Sequence, residues 1–291
     1  MRRLALGLVL LLVASVCSAG GAIHEPLYGR ARVDWQHPLS RGLVGYWLTN
    51  EGGGDQLYDV ARHHTGTLSN MEPDVDWTID EGGQTLTLDG SNEWVEIDST
   101  PELEPAHVSV VCRFRSDRAI QYEEIVRKGN NISTESYDFI RGYPSSGDLR
   151  FSVYVSGSWR AGPYTSINTA QWYVAVGTYD GATIRMYLDG VEVGTPVNYS
   201  GSAGAGGDPL ALGRRWKNTG ADRYFQGDLE YVRIYSRALL PAEIVALYQN
   251  PYAGLTVDRV WAFKAGAAAG GGLLFHLKEY SGLDGLGRGM Q

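Results

Sequence analysis

Hydrophobic and polar positions alternate most cleanly between Trp172 and Gly194, in WYVAVGTYDGATIRMYLDGVEVG, where two alternating segments flank YDG and a third begins after LDG. Period-two alternation broken by Asp-Gly pairs predicts antiparallel hairpins. Ile184, Met186 and Leu188 fall on one face and Arg185 and Tyr187 on the other, the pattern of a strand packed on a second sheet on one side and meeting solvent on the other. The same texture recurs in TLTLDGSNEWVEI, HVSVVCRFR, EEIVRKG, SYDFIRG, LRFSVYVSG, DPLALGR and LEYVRIY, and a short apolar strand in GLVGYWL precedes the glycine turn NEGGG. Roughly ten to fourteen short strands with frequent Gly, Asp and Asn turns predict an all-β, two-sheet antiparallel sandwich. A single short helix is expected over Leu240–Gln249, with Pro241 in its first turn and Asn250-Pro251 as its stop.

The two ends have a different texture. Residues 1–19 place Arg2 and Arg3 ahead of an apolar run from Leu4 to Val16 and end in Cys17-Ser18-Ala19, which predicts a secretory signal peptide, with a retained anchor as the alternative. Residues 20–40 are expected to be a leader, residues 41–255 the sandwich domain, and residues 256–291 a Gly/Ala-rich tail in which VWAF and LLFHL could add edge strands or dock on a partner. Neither apolar stretch of the tail is long enough to span a bilayer.

Composition narrows the function classes. The formal net charge is −8, and cleavage after Ala19 would remove two arginines, so the mature chain is more acidic still. With no arginine-rich stripe, such a surface disfavours nucleic acid as a partner. Cys112 is then the one remaining cysteine, which excludes an intrachain disulfide, and its place among Val108, Val110 and Phe114 marks it as a buried small hydrophobe. His63 and His64 stand in a polar loop without the further spaced ligands that zinc requires. No phosphate loop, serine elbow or Cys-His pair appears.

A sugar site needs exposed aromatic faces beside hydrogen-bonding groups. Two segments expected to be loops offer them: SGSWRAGPYTS, with Trp159, Arg160 and Tyr164, and GRRWKNTGADRYF, with Arg215, Trp216, Lys217, Asn218, Asp222 and Tyr224. Trp47, Trp94 and Trp172 lie within strand patterns and are expected in the core or between the sheets.

The stretches GLVGYWLTNEGGG, LYDVARHHTGTL, LTLDGSNEWVEI, HVSVVCRFR, WYVAVGTYDGATIRMYLDGVEVG and GDLEYVRIYSRALLPAEIVALY, in this order over about residues 42–250, resemble the laminin G-like, concanavalin A-like lectin and glucanase superfamily of bacterial, phage and environmental surface proteins. The resemblance implies a jelly-roll sandwich. Glucanases of the superfamily carry carboxylates in the order Glu, any residue, Asp, any two residues, Glu. WVEIDSTPE supplies Glu96 and Asp98, but the third position is Pro101 and Glu102 comes one step late, on the opposite face of a continuing strand. The resemblance also implies a structural Ca2+ held by Asp59 and by Glu230, which stands where the family more often has Asp, with Asp228 as the substitute.

These readings converge on a secreted, non-catalytic carbohydrate-binding or adhesion module whose partner is a glycan or an extracellular surface protein. The alternative is a structural subunit of a surface layer, filament or virion that self-associates through its terminal segments. Glycoside hydrolysis ranks below both.

Overall fold

The computed structural model describes residues 25–26, 28–80, 83–119, 122–129, 135–215, 223–257, 260–267 and 273–280, so the expected signal segment lies outside the described residues. The first strands are β1 (Ala31–Val33), β2 (Leu43–Leu48), β3 (Gln56–Leu57), β4 (Gly66–Ser69), β5 (Trp77–Asp80), β6 (Gly83–Asp89) and β7 (Trp94–Ile97). There follow β8 (Val108–Ser116), β9 (Glu123–Lys128), β10 (Tyr137–Arg141), β11 (Asp148–Val155), β12 (Ser158–Ser166), β13 (Trp172–Tyr179), β14 (Thr183–Leu188) and β15 (Val191–Asn198). The chain continues through β16 (Leu210–Leu212), β17 (Arg214–Arg215), β18 (Arg223–Tyr224), β19 (Gln226–Tyr235) and α1 (Pro241–Gln249). It closes with β20 (Leu255–Val257), β21 (Val260–Ala267) and β22 (Leu273–Tyr280).

Two eight-stranded antiparallel sheets form the sandwich. One has the order β15-β14-β13-β8-β19-β6-β5, with β2 also paired to β19; the other runs β12-β11-β10-β9-β16-β7-β4-β3. The expected jelly-roll sandwich with one late helix is thus the observed fold. Turn chemistry explains the hairpins: Asp189 (φ 50°) and Gly190 (φ 81°) both take left-handed conformations between β14 and β15, and the Asp189 carboxylate accepts the Val174 N–H at 2.8 Å.

Side chains from both sheets interdigitate in one core that includes Leu86, Val95, Val110, Phe114, Phe139, Phe151, Ile184, Met186 and Trp47, and free Cys112 is buried there. Each fully buried aliphatic or aromatic side chain of this kind contributes about 1.5–3 kcal/mol. A second apolar layer lies outside the first sheet, where Ile244 and Leu247 of α1 pack with Val111, Val174, Val176, Tyr187, Tyr231 and Tyr235. Tyr187, expected to meet solvent, is therefore buried beneath the helix region, while Arg185 on the same face keeps 41% of its side chain exposed. Arg233 fastens this layer, stacking 3.9 Å over Tyr46 and donating to the Tyr46 hydroxyl and the Pro251 carbonyl.

Two segments differ from expectation, and a third forms strands where VWAF and LLFHL offered them. The residues expected to be a leader join the domain: β1 pairs with β20, the Glu25 carboxylate accepts the Gln84 N–H at 2.7 Å, and the Pro26 carbonyl accepts from the Asn50 side chain. SGSWRAGPYTS, expected to be a loop, contains the whole of β12, because Ser156 (φ 52°) and Gly157 (φ 79°) turn the chain tightly and Pro163 sits on an edge strand at a register shift, where its missing N–H breaks no ladder. In the expected tail, β21 and β22 pair from Val260 with Tyr280 to Ala267 with Leu273. No described helix is long and apolar enough to cross a membrane.

Candidate functional site

With α1 over the first sheet, chemistry collects on the outer face of the second. Alternation there opposes core residues Val95, Leu212, Val126, Phe139 and Phe151 to an outward row that register aligns across the strands: Thr67, Glu96, Ala211, Arg127, Asp138, Ser152 and Ala161. Regular alternation would place Glu124 and Arg127 on opposite faces. The register shift between β9 and β10 re-phases the strand, turning Ile125 and Val126 both inward and Glu124 and Arg127 both outward.

The result is a buried ionic cluster. Arg127 Nη1 lies 3.3 Å from Glu124 and 3.1 Å from Asp138, and Nη2 donates to Glu135. Arg127, Glu124, Glu135 and Asp138 are all buried. Burial, reinforced by the Glu124 charge, pushes the Asp138 carboxyl up to about 7 against the pull of Arg127. Burial alone would lower the Arg127 pKa, but Glu124, Asp138 and Glu135 outweigh it and raise it.

Aromatic side chains roof the cluster and extend it. The Trp159 ring lies 4.7 Å from the Arg127 guanidinium and meets Tyr154 edge to face at 5.8 Å. The β17–β18 ribbon, rising from the end of β16, brings Arg223 to 3.4 Å from Glu124, and Arg215 is pushed below its ordinary pKa by burial and by the charges of Arg127 and Arg223. Arg223 also stacks 4.1 Å over Tyr122, Tyr122 lies 5.5 Å from Tyr143, and Arg150 stacks 3.9 Å over Tyr143. Tyr164, the cross-strand partner of Arg150, is 53% exposed.

The residues predicted to bind sugar are thereby sorted. Trp159 and Tyr164 share the outer face, whereas Arg160, opposite core residue Val153, turns the other way and stacks 4.8 Å over Tyr199. Tyr224 lies on the ribbon, its ring 6.2 Å from Trp94. Trp216, Lys217, Asn218 and Asp222 lie outside the described residues. Of the tryptophans expected inside, Trp47 is fully buried, but Trp94 and Trp172 sit on outer faces, beneath Arg214 at 4.1 Å and Arg113 at 4.6 Å respectively. Glu124, Arg127, Glu135, Asp138 and Arg150 were not singled out by the sequence; their signal is charge inside strands otherwise patterned for burial, EEIVRK and YDFIR.

The carboxylates expected to hold Ca2+ are each engaged by donors of the protein. Both Asp59 oxygens accept backbone N–H groups, Oδ1 from Tyr46 and Ala61 at 2.8 Å, and Oδ2 from Arg62 at 3.0 Å and His64 at 3.1 Å. Glu230 is paired with Arg113 and accepts from the Tyr252 hydroxyl at 3.1 Å, and Asp228 lies 2.6 Å from Arg115 and accepts from Thr87. No group of three or more His, Cys, Asp or Glu side chains able to hold a metal ion occurs among the described residues. Glu96 faces outward between Thr67 and Ala211, while Asp98 and Glu102 are exposed beyond the strand.

Comparison with known proteins agrees with this architecture. A sequence model of the concanavalin A-like lectin/glucanases superfamily matches residues 89–245, more than half of the chain. No curated protein sequence matches it. Among solved structures, domain 4 of the extracellular arabinanase AbnA from Geobacillus stearothermophilus, in complex with arabinotriose, is similar with a TM-score of 0.56 at 18% identity, over 76% of this chain and 100% of that one. The binding domain of Paraclostridial Mosquitocidal Protein 1 matches with a TM-score of 0.55 at 12% identity over 82% of this chain and 64% of that one. A Trypanosoma rangeli sialidase in complex with a difluorosialic acid matches at 0.52 and 16% identity, over 71% of this chain and 32% of the sialidase.

Proposed function

The chain belongs to the concanavalin A-like lectin/glucanases superfamily, and from that premise we propose that it is an extracellular, non-catalytic module that recognises glycans on the outer face of its second sheet. The observation that carries this reading is the juxtaposition of Trp159, Tyr164, Tyr143 and Arg150 on a sheet face that α1 leaves uncovered. Aromatic rings supply apolar platforms for the C–H faces of a sugar, and fixed guanidinium donors supply direction.

The carboxylates support binding over hydrolysis. Retaining and inverting glycosidases need an accessible pair, one carboxyl acting as acid and the other as nucleophile or base. Here Glu124 and Asp138 converge on the same Arg127 nitrogen and are buried. Glycan binding by a domain of this shape has a precedent in the arabinotriose complex of the arabinanase domain.

Affinity electrophoresis through gels cast with a panel of polysaccharides tests the proposal. Selective retardation by one polysaccharide, with no new reducing ends after prolonged incubation, is the expected result; unretarded migration in every gel, or release of reducing sugar, contradicts it.

Self-assembly through the C-terminal segment is a second reading. It is favoured by the β21–β22 hairpin, which pairs only with itself among the described residues. Light scattering on the full chain distinguishes a monomer from an ordered oligomer.

A further inference from the structure

We propose that the ligand of this face is a carboxylate-bearing saccharide and that Arg150 is the residue that receives its carboxylate. The inference rests on the glycan-binding reading and names the class of sugar.

The starting observation is a ladder of two adjacent rings capped at each end by a guanidinium, Arg150, Tyr143, Tyr122, Arg223, with successive separations of 3.9, 5.5 and 4.1 Å. Its two ends are not equivalent. Arg223 is matched by Glu124 at 3.4 Å, whereas Arg150 has no carboxylate within ion-pair distance among the described residues. Stacking on Tyr143 uses the flat face of the Arg150 guanidinium. Its in-plane Nε–H is spent on the Ser152 hydroxyl at 3.1 Å, which fixes the plane and leaves the terminal Nη donors for a ligand.

That geometry suits a planar, bidentate acceptor, and a carboxylate is one. The neighbour on the adjoining strand is Tyr164, whose Cβ lies about 5 Å away as a directly opposed cross-strand partner and which is itself 53% exposed. A pyranose carrying a carboxylate could rest on the Tyr164 ring with its acid group on Arg150.

Charge favours the same class. The chain as a whole carries −8, so a fixed, half-buried cation on an aromatic face, close enough to Asp138 to act on its carboxyl but with no carboxylate within ion-pair distance among the described residues, departs from the surrounding field. A neutral sugar would bury that charge without a contact ion pair, whereas an acidic sugar supplies one.

The test is a printed glycan array carrying neutral, carboxylated and sulfated glycans, duplicated on a slide whose carboxyl groups have been methyl-esterified, and probed with the wild-type chain, Arg150→Gln, Arg150→Lys and Tyr164→Ala. Thermal melts of each variant establish that it is folded. Expected are labelling confined to carboxylated features, a drop of at least tenfold on esterification and in Arg150→Gln, and an intermediate signal in Arg150→Lys, which keeps the charge without the fork. Labelling of neutral or sulfated features that survives esterification overturns the inference and leaves glycan binding intact, and so does full binding by folded Arg150→Gln. If the folded wild-type chain labels nothing, glycan recognition itself fails and the inference with it.

Discussion

The Trp159 indole covers the Arg127 guanidinium at 4.7 Å, although two strands separate β12 from β9. Two long side chains thus bridge the outer face of the sheet and close over Glu124 and Asp138. Replacing Trp159 with Ala admits water to that cluster. The Asp138 carboxyl, held at about 7 chiefly by burial, then moves down toward the ordinary carboxylate range, and carboxyl-carbon NMR titration of the two proteins measures the shift. The lost cation–π contact costs about 1–2 kcal/mol, readable in urea unfolding.

Stability depends on pH with a definite sign. Burial raises Glu25 and Asp138 to about 7 and Glu51 to about 8, and the Glu25 charge adds to the rise of Glu51. A carboxyl whose folded pKa exceeds its unfolded value makes its full contribution below the unfolded pKa and loses it as pH rises through the folded one. The melting temperature therefore falls between about pH 5 and pH 8, and Asp138→Asn shallows the fall. Glu104 and Glu243 run the other way: burial opposes it, but Lys128 and Arg237 lower them, and their contribution is lost only in acid.

Asp59 holds a turn by accepting four backbone N–H groups and lies 3.3 Å from His64 Nδ1. Asp59→Ala strands those donors and destabilises the fold by about 3 kcal/mol. Because its oxygens are already engaged, the wild-type melting temperature is the same in excess calcium and in excess chelator. A calcium-dependent rise in scanning calorimetry would show that a cation site exists after all.

Gly177 of the first sheet faces Phe151 of the second, and a Cβ there would stand 2.2 Å from the Phe151 ring. Gly177→Ala costs about 1–3 kcal/mol by overpacking, and Phe151→Leu in the same chain recovers part of the loss. Denaturant midpoints of the single and double variants check both statements.

Much of the fold was legible because its signal is local. Alternation and Asp-Gly turns in residues 172–194 mark β13, β14 and β15, and Pro241 with Asn250-Pro251 brackets α1. The candidate site was less legible because its geometry comes from tertiary register. A register shift invisible in EEIVRK turns Glu124 and Arg127 to one side, and pairing across β9, β10 and β11 brings Asp138 and Ser152 into their row. Trp159, Arg160 and Tyr164 looked like a cluster as loop residues. As members of β12, Arg160 is sent to the opposite face, and only the pairing with β11 reveals that Arg150 is the partner of Tyr164.

The central claim is that the ligand meets the outer face of the second sheet. The direct measurement is a 15N-labelled NMR titration with the glycan that labels most strongly on the array, repeated with Arg160→Ala and Trp159→Ala. The account predicts shifts clustered at Trp159, Tyr164, Arg150 and Tyr143, unchanged affinity in Arg160→Ala and at least tenfold weaker binding in Trp159→Ala. Shifts confined to the exposed, mutually packed Tyr28 and Tyr58 beside β3, at the other edge of that sheet, or to the exposed side of α1, would contradict it.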